Sequence, residues 1–459
     1  MRATALLCSV VLLLAAPAAE AAVSHVISGR GWGHGVGMSQ YGARGLAEHG
    51  RTYERILRHY YRGTELARIR ERAVRVLLQS GRKEIVVSGA TRAGGRRLDP
   101  ARLYRVRAHG AGVELRSAAG RLLGRAAGPL ELSRPGDVVK LHGTAIGGVR
   151  DGRYRGSIVV VPGVFGGLGA VNVVALDDYV RGVLPGEMPS SWPIEALKAQ
   201  AVAARSYALA ANKGGAVFDH YPDTRSQVYR GFDHETAPAN AAVEATAGQV
   251  LAYEGEVIPA FFFSTSGGRT EDVENVWYDA APRPYLRSVR DPYDRISPRR
   301  RWEVRFTTEQ MERRLRGLVK GSFRRIVVRR RGASPRVVAA DVVGSEGRTR
   351  VSGATLKARL RLDDTWAYFR RISSRGGRSI AGRSILGAFL PLPRWEITGS
   401  VTPRPRGGRI VVERLTPRGW RTAVTGGADR AGRYRIFLTR PGTYRIRVGS
   451  VRGPAVRVR

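Results

Sequence analysis

Cysteine is almost absent from this 459-residue sequence, and the single one, Cys8, lies in an apolar run near the N-terminus. Residues 1–22 have the pattern of a secretory signal peptide: Arg2 precedes an apolar segment over residues 6–16, and a small-x-small cleavage pattern follows at 19–21. Without this peptide the chain has no thiol, which excludes disulfides, thiol catalysis and thiolate metal ligands. We expect a secreted, extracytoplasmic protein of the cell envelope, because the apolar run is short for a membrane span and no later segment resembles one. A retained membrane anchor is the alternative.

Acidic residues and lysine are also scarce. The chain has 38 Asp and Glu against 78 Lys and Arg, a formal net charge of +40, and only six of the basic residues are lysine. The arginines are dispersed over predicted strands and loops, which is typical of a GC-rich coding sequence rather than of a phosphate-reading surface. We therefore predict no specific nucleic-acid partner. The charge still favours anionic polymers, and an exported protein meets those of the cell wall.

Long helical periods are missing between residue 70 and about residue 175. Short β-branched runs such as AVRVLLQS and GSIVVVPG alternate there with Gly, Pro and Asp turns, which predicts a β-rich region. Apolar residues recur at spacings of three and four over 176–183, 194–208 and 307–318, and these stretches are predicted helices. The helix at 194–208 carries Lys198, Gln200 and Arg205 on its predicted polar side, where we expect them to hold neighbouring loops.

The composition changes again near residue 395. Alternating strands at even spacing fill the remainder of the chain, which predicts a small β-sandwich preceded by PLPRW as a linker. We predict an α+β fold: a catalytic domain with β-rich inserts at 23–394 and a β-sandwich accessory domain at 395–459.

Two glutamates occur in the stretch LPGEMPSSWPIEALKAQAVAARSYAL, residues 184–209. Glu187 has apolar neighbours and no basic residue between Arg181 and Lys198, and the flanking prolines predict a stiff, non-helical loop. Apolar burial raises the pKa of a carboxyl, as a general acid requires. Glu195 falls in the first turn of a predicted helix, where the helix dipole favours the ionised form, so we assign it a structural role.

Local sequence also permits Glu187 to be an exposed loop carboxylate without a task. Glycoside hydrolysis by two carboxylates would need a second acid at a defined separation. The sequence leaves open whether Asp177, Asp178 or another residue supplies it.

The stretch at 184–209 resembles the signature of the SpoIID/LytB family, the stage II sporulation protein D and amidase-enhancer group of bacterial cell-wall proteins. Three more segments resemble blocks of the same family: the glycine-rich 29–66, the Ser-Thr-Ser-Gly-Gly segment within 261–277, and VSGATLKARLRLDDTW at 351–366. The matches extend over most of the chain up to the predicted linker.

The resemblance implies a lytic transglycosylase that cuts the MurNAc–GlcNAc strands of peptidoglycan with one glutamate as acid and then base, leaving 1,6-anhydro-muramyl ends. The glutamate of the family's Glu-Met-Pro motif is Glu187 here. Two alternatives remain: a non-catalytic enhancer of a wall amidase, and a polyanion-binding structural wall protein.

The resemblance also implies that the Ser-Thr-Ser-Gly-Gly segment borders the substrate groove. We predict substrate-binding roles for a set of polar and glycine positions: Ser264, Thr265, Ser266, Gly267, Gly268, His34 and Gln40. His34 and Gln40 are predicted to donate hydrogen bonds to glycan or to Glu187. The alternative for the Ser-Thr-Ser-Gly-Gly segment is a solvated hairpin turn. The alternative for the glycine-rich block that contains His34 and Gln40 is a tight structural loop. Trp32, Trp192 and Trp277 are candidates for stacking on sugars, with burial as the alternative.

The sequence departs from the family's pattern in two ways. The glycine-rich block begins the chain, whereas in sporulation members it ends the domain, so the order is circularly permuted. Those members also bind zinc through Cys and His, where this chain has Tyr221, Arg225 and Ser226. We predict that the zinc site is lost and that no metal or other cofactor is needed. A site made of His220, Asp223 and His234 is the alternative, opposed by the adjacent arginine.

Overall fold

The computed structural model describes residues 21–211, 214–277, 279–385 and 388–458, with the side chains of 378–394 left aside. Most of the predicted signal peptide, residues 1–20, lies outside the described residues. The described chain has an α+β fold with extensive antiparallel sheets, which confirms the predicted fold class.

Seven α-helices occur in the described residues. They are α1 (Gln40–Glu48), α2 (Tyr53–Tyr60), α3 (Leu176–Glu187), α4 (Ile194–Ala210), α5 (Ala237–Ala245), α6 (Thr308–Arg314) and α7 (Gly353–Leu360). Within the part of the chain that the structure describes, none has the length and apolar character needed to cross a lipid bilayer.

A large antiparallel sheet occupies the region predicted to be β-rich. Its main strands, in spatial order, are Leu122–Ala126, Gly112–Ser117, Leu103–His109, Glu84–Ser88, Leu130–Leu141, Arg153–Val164, Gly167–Ala175 and Ala73–Arg82, and Arg92–Ala93 and Arg96–Arg97 pair at its side. Strand Gly167–Ala175 passes directly into α3, and both belong to one apolar core. The sheet therefore fixes the axis of the helix that ends at Glu187.

Helix α4 runs through the middle of the molecule and is buried on nearly every side. Small alanines line it, which lets α1, α2, α3 and α5 approach closely. The prediction of a polar side is wrong in that Gln200 and Arg205 are fully buried. Arg205 holds neighbouring segments, as expected: its Nε donates to Asp177 Oδ1 at 2.6 Å and its Nη1 donates to the Gln249 carbonyl at 2.9 Å.

Three small sheets surround the helices. Met38–Ser39 pairs in parallel with Phe262–Phe263; Glu65–Arg68, Gln249–Tyr253 and Glu256–Val257 form a second sheet; Phe323–Arg331, Val337–Gly344 and Arg348–Ser352 form a third. The first of these joins the glycine-rich block to the segment before Ser264, although the two are more than 220 residues apart in sequence.

The C-terminal strands form a two-layered arrangement in which one layer is shared with the N-terminus. That layer contains, in order, Arg301–Phe306, Ala22–Arg30, Ala367–Ile385, Ala388–Thr402 and Arg433–Leu438; the other contains Gly419–Gly427, Arg409–Thr416, Gly442–Val448, Val451–Arg452 and Val456–Val458. Residues 391–395, predicted as a linker, lie inside a strand, and the boundary predicted at 394/395 falls within the shared sheet.

Candidate active site

Glu187 is the last residue of α3 and lines an open cleft of about 960 Å³. The prediction of a non-helical loop is wrong, because the helix continues through Pro185. Proline lacks a backbone N–H, but Met188 N still donates to the Leu184 carbonyl at 2.9 Å and closes the last turn. Glu187 is thereby held at a helix end, half-buried, with its side chain at the cleft.

The Glu187 carboxyl has little to stabilise its charge. Val228 N donates to Oε1 at 2.7 Å, and within the described ranges no side chain forms an ion pair or hydrogen bond with this carboxyl. Burial raises the pKa of Glu187, and the Val228 bond opposes that rise only in part. Burial raises the pKa values of Tyr179 and Tyr207, and the charge of Glu187 adds to both shifts. The direction of the shift agrees with the expectation from the neighbouring residues.

The candidate partner carboxylates are far from Glu187. Asp177 and Asp178 lie in the first turn of α3, about 15 Å along the helix axis from its last residue. Asp177 pairs with Arg205 at 2.6 Å and Asp178 pairs with Arg181 at 2.5 Å. Neither acid can assist a reaction at Glu187.

Glu195 has the structural role predicted for it, and it also serves a second helix. Its Oε2 accepts from Tyr53 N at 2.7 Å at the start of α2, and its Oε1 accepts from Lys198 Nζ at 2.8 Å. The cap residue Thr52 makes no side-chain cap bond, so Glu195 supplies the acceptor that α2 otherwise lacks.

Gln40 and His34 lie next to the site but do not bond the Glu187 carboxyl. Gln40 Nε2 donates to the backbone carbonyl of Glu187 at 3.0 Å, which fixes the end of α3. His34 Nδ1 accepts from Val36 N at 3.1 Å and Nε2 donates to the Phe262 carbonyl at 3.0 Å. Burial lowers the pKa of His34 to about 3, so the ring is neutral and has no free proton to give. It lines the cleft as a packing group.

The Ser-Thr-Ser-Gly-Gly segment contributes one side chain to the cleft, that of Ser264. Thr265 and Ser266 are completely buried: Thr265 Oγ1 bonds Ser297 Oγ at 2.7 Å, and Ser266 Oγ donates to Asp294 Oδ2 at 3.0 Å. The prediction that these hydroxyls bind sugar is wrong, because both are used inside the protein.

The two glycines of that segment are structural as well. Gly267 N donates to Asp294 Oδ2 at 2.6 Å, and Gly268 N donates to Ser266 Oγ at 3.0 Å. Gly267 has a positive φ of 76°, and a Cβ there would lie 3.0 Å from Gly31 N. The segment therefore packs directly against the glycine-rich block, and neither glycine lines the cleft.

A buried ion pair, absent from the predicted site, organises this wall. Arg336 donates through Nε and Nη2 to the two carboxylate oxygens of Asp364, each at 2.9 Å, and through Nη2 and Nη1 to the carbonyls of Ser266 and Arg269 at 2.9 and 2.8 Å. A Cβ at Gly35, where φ is 92°, would lie 2.5 Å from Arg336 Nε. The glycine-rich block is thus a tight loop around an arginine.

Two of the three candidate tryptophans face the cleft. Trp32 and Trp277 line it and are 47% and 36% exposed. Trp192 packs against the main core, with Tyr41 at 4.8 Å between ring centroids, so it is not available to a ligand in the cleft. Tyr207 and Lys357 also line the cleft and were not singled out from sequence, although both occur in the segments that carry the resemblance.

Comparison with known proteins shows which family this chain is similar to. The family described as "SpoIID: Stage II sporulation protein" matches residues 165–253. Stage II sporulation protein D of Bacillus subtilis is 35% identical over 210 residues, covering 41% of this chain and 57% of that protein. The amidase enhancer of the same organism is 40% identical over 144 residues, covering 31% and 19%. These matches support membership of the SpoIID/LytB family. An uncharacterized protein of Brachyspira hyodysenteriae is 41% identical over 139 residues, covering 30% and 37%.

The matched family segment covers one wall of the cleft. Residues 165–253 include Glu187, α4 and the loop that carries Val228, whereas Ser264, Trp277 and Lys357 on the other side lie outside it. The chain spans less than two thirds of the length of each of these relatives.

The loop where the resemblance implies zinc in sporulation members is held here by other contacts. Ser226 Oγ accepts from Tyr221 N at 3.1 Å, and Arg225 forks onto Asp223 at 2.7 and 2.9 Å while its guanidinium lies 3.7 Å from the Tyr221 ring centroid. His220 is buried and bonds the Ala208 carbonyl at 2.9 Å. Across the described residues, no group of three or more His, Asp and Glu is placed to hold a metal. These side chains do not fit a zinc site.

Proposed function

We propose that this chain is an exported, extracytoplasmic enzyme of the cell envelope, a lytic transglycosylase that cleaves MurNAc–GlcNAc glycan strands with Glu187 as its acid and base. The observation that carries the proposal is the state of that carboxyl: half-buried at the wall of an open cleft, with a raised pKa and, among the described residues, one hydrogen bond, from Val228 N. Relatives named for sporulation and for amidase enhancement support a cell-wall role.

A protonated Glu187 would donate its proton to the glycosidic oxygen, breaking the bond to muramyl C1 and leaving an oxocarbenium-like centre. The resulting carboxylate would then take the proton of the muramyl O6 hydroxyl as O6 closes on C1. This route balances without an attacking water and without a second carboxylate. It therefore suits a site in which Asp177 and Asp178 are paired elsewhere.

The rest of the cleft suits a polysaccharide. Trp32 and Trp277 present exposed rings for stacking on sugar faces, and Ser264 adds a hydroxyl. Lys357, whose Nζ donates to the Gly33 carbonyl at 2.6 Å, adds a positive charge at the rim.

The test is digestion of purified glycan strands, with and without stem peptides, followed by mass spectrometry for 1,6-anhydro-muramyl ends. We expect such ends from the parent protein and a loss of about 10²- to 10⁴-fold or more in Glu187→Gln. Glu195→Gln is the matched control: it alters a glutamate eight residues away that caps α2, and it should retain cleavage. Equal activity in Glu187→Gln and the parent would refute the assignment.

A helper role is the second candidate, and the amidase-enhancer relative is what favours it. In that case the parent protein would produce no anhydro ends but would accelerate a purified wall amidase on intact peptidoglycan. Glu187→Gln would then stimulate the amidase as well as the parent does.

A further inference from the structure

Five arginines surround a depression of about 550 Å³. It lies beyond the cleft that Glu187 lines, which we call the glycan cleft. The arginines are Arg305, Arg313, Arg314, Arg359 and Arg361, contributed by strand Arg301–Phe306, by α6 and by α7 with the residue after it. The lining contains no carboxylate. We call this depression the arginine pocket.

Most of the positive charge in the arginine pocket is unpaired. Arg305 pairs with Glu303 at 2.6 Å, whereas the other four form no ion pair with any acid of the described chain. The acids on α6 are bonded elsewhere: Glu309 accepts from the Thr307 hydroxyl at 2.5 Å, and Glu312 accepts from Phe323 N at 2.8 Å. Guanidinium groups that converge without counter-charges form a site for an anion.

Interactions with helix ends and backbone carbonyls explain only some of the arginines in this pocket. Arg313 and Arg314 end α6 and Arg359 lies in the last turn of α7, where a positive charge complements the helix dipole. Arg314 has partners within the protein. Its Nη1 donates to the Leu360 carbonyl at the end of α7 at 3.5 Å, and its guanidinium lies 5.0 Å from the Phe306 ring centroid. Among the described residues, the guanidinium groups of Arg313, Arg359 and Arg361 form no hydrogen bond or ion pair, and Arg313 is also near enough to Glu309 to interact with its charge.

The arginine pocket is linked to the cleft of Glu187 through a second depression that shares lining residues with both. Arg361 also lines a second depression of about 730 Å³, and that depression shares His34, Trp277 and Lys357 with the glycan cleft. A polymer chain attached to a bound glycan strand can therefore reach the arginines along one surface.

We propose that the arginine pocket binds phosphate groups of a flexible phosphodiester polymer, the class of anionic chain that is attached to wall glycan. Arginine forks match phosphate oxygens, and several guanidinium groups in one depression favour a ligand with several phosphates over a single ion. A concave site formed between a strand and two helix ends suits a flexible chain better than a rigid duplex. Binding at this pocket does not depend on whether Glu187 is catalytic.

Isothermal titration of the protein with poly(glycerol phosphate) tests the proposal, at 0.15 M salt so that long-range attraction is screened. In Arg313→Gln/Arg359→Gln we expect at least about a tenfold loss of affinity, from the removal of two charge-assisted contacts. The matched control is Arg55→Gln/Arg58→Gln, which removes the same charge from exposed positions of α2 that form no ion pair among the described residues. The control should change affinity less than about twofold, since only net charge is altered.

Other results would contradict either the site or the proposed ligand. Equal weakening in both double variants would mean that net charge alone attracts the polymer, and would overturn the pocket. Orthophosphate binding as tightly as the polymer, or a DNA duplex binding more tightly at the same arginines, would overturn the proposed ligand. Arg361→Asn repeats the test at the residue that caps the C-terminus of α7, where Asn tolerates the left-handed backbone with a φ of 54° and should keep the cap. Glu187→Gln should bind the polymer with the affinity of the parent protein. A negative result in the cleavage assay would therefore not change the interpretation of this binding test.

Discussion

The two walls of the cleft differ in how many hydrogen bonds their polar side chains form. On the wall that contains α3, the Glu187 carboxyl is half-buried, and among the described residues its hydrogen bond comes from Val228 N alone. On the opposite wall, Arg336 makes bonds to a carboxylate and to two carbonyls, and Ser266 bonds a buried aspartate. A buried polar group without partners is costly to stability, while a fully bonded one is rigid. The Glu187 carboxyl is thus weakly bonded compared with the Arg336 network that holds the opposite wall.

The largest effect should come from breaking that network. Arg336→Met leaves Asp364 as a buried charge without an ion-pair partner, bonded by Trp366 N, and frees two backbone carbonyls, so we expect a loss of about 3–5 kcal/mol in the free energy of unfolding. Urea unfolding at neutral pH measures it. Arg102→Met is the control, because Arg102 pairs with Asp99 on an exposed surface and should contribute at most about 1 kcal/mol. Comparable losses in the two variants would show that the buried pair does not frame the cleft.

A smaller effect, with the opposite sign, is expected at Glu187. Burial raises its pKa above the ordinary value of 4.5, so the folded protein binds this proton more tightly than the unfolded chain does. Stability is therefore lost as pH rises from the unfolded pKa through the folded one, and the loss persists above it. Glu187→Gln removes that loss, and should be more stable than the parent at about pH 8 and equal to it at about pH 3.5.

Parallel unfolding titrations of Glu187→Gln and the parent check this prediction. Cleavage by the parent should fall over the same pH interval, since the acid form of Glu187 is the one that protonates the leaving oxygen. A variant less stable than the parent at alkaline pH would show that the carboxylate is stabilised by its surroundings, which would remove the contrast between the walls.

What the sequence could predict is the part that depends on near neighbours. The apolar residues around Glu187 predicted the direction of its pKa shift, and the position of Glu195 in a first turn predicted a structural carboxylate. The short β-branched runs likewise predicted the large sheet. In each case the deciding residues lie within a few positions of one another, so local chemistry was sufficient.

What the sequence could not predict depends on partners from distant segments. Ser266 faces Asp294 and Arg336 rather than the cleft, and those partners lie 28 and 70 residues further along. Local chemistry shows that a hydroxyl can bond a sugar, but not which way it points. The shared sheet has the same origin, since strand Ala22–Arg30 pairs with Ala367–Ile385 across most of the chain. The donor to Glu187 is a backbone N–H, for which no side-chain signal exists.

The smallest expected effect concerns the loop that brings Val228 N to Glu187, and it sharpens the contrast between the walls. Arg225 lies at the cleft, half-exposed, and orders this loop through Asp223 and the Tyr221 ring. Arg225→Gln should cost at most about 1 kcal/mol, as exposed pairs do, and should shift the pKa of Glu187 upward by weakening the Val228 bond. Carboxyl carbon NMR of Glu187 measures that shift, and Arg433→Gln, which breaks an exposed pair with Asp429, should leave it unchanged.

Because side-chain contacts rather than thiolates hold the loop, EDTA should alter neither the unfolding midpoint nor the Glu187 titration. A loss on chelation that zinc restores would mean that a metal, and not Arg225, orders the α3 wall.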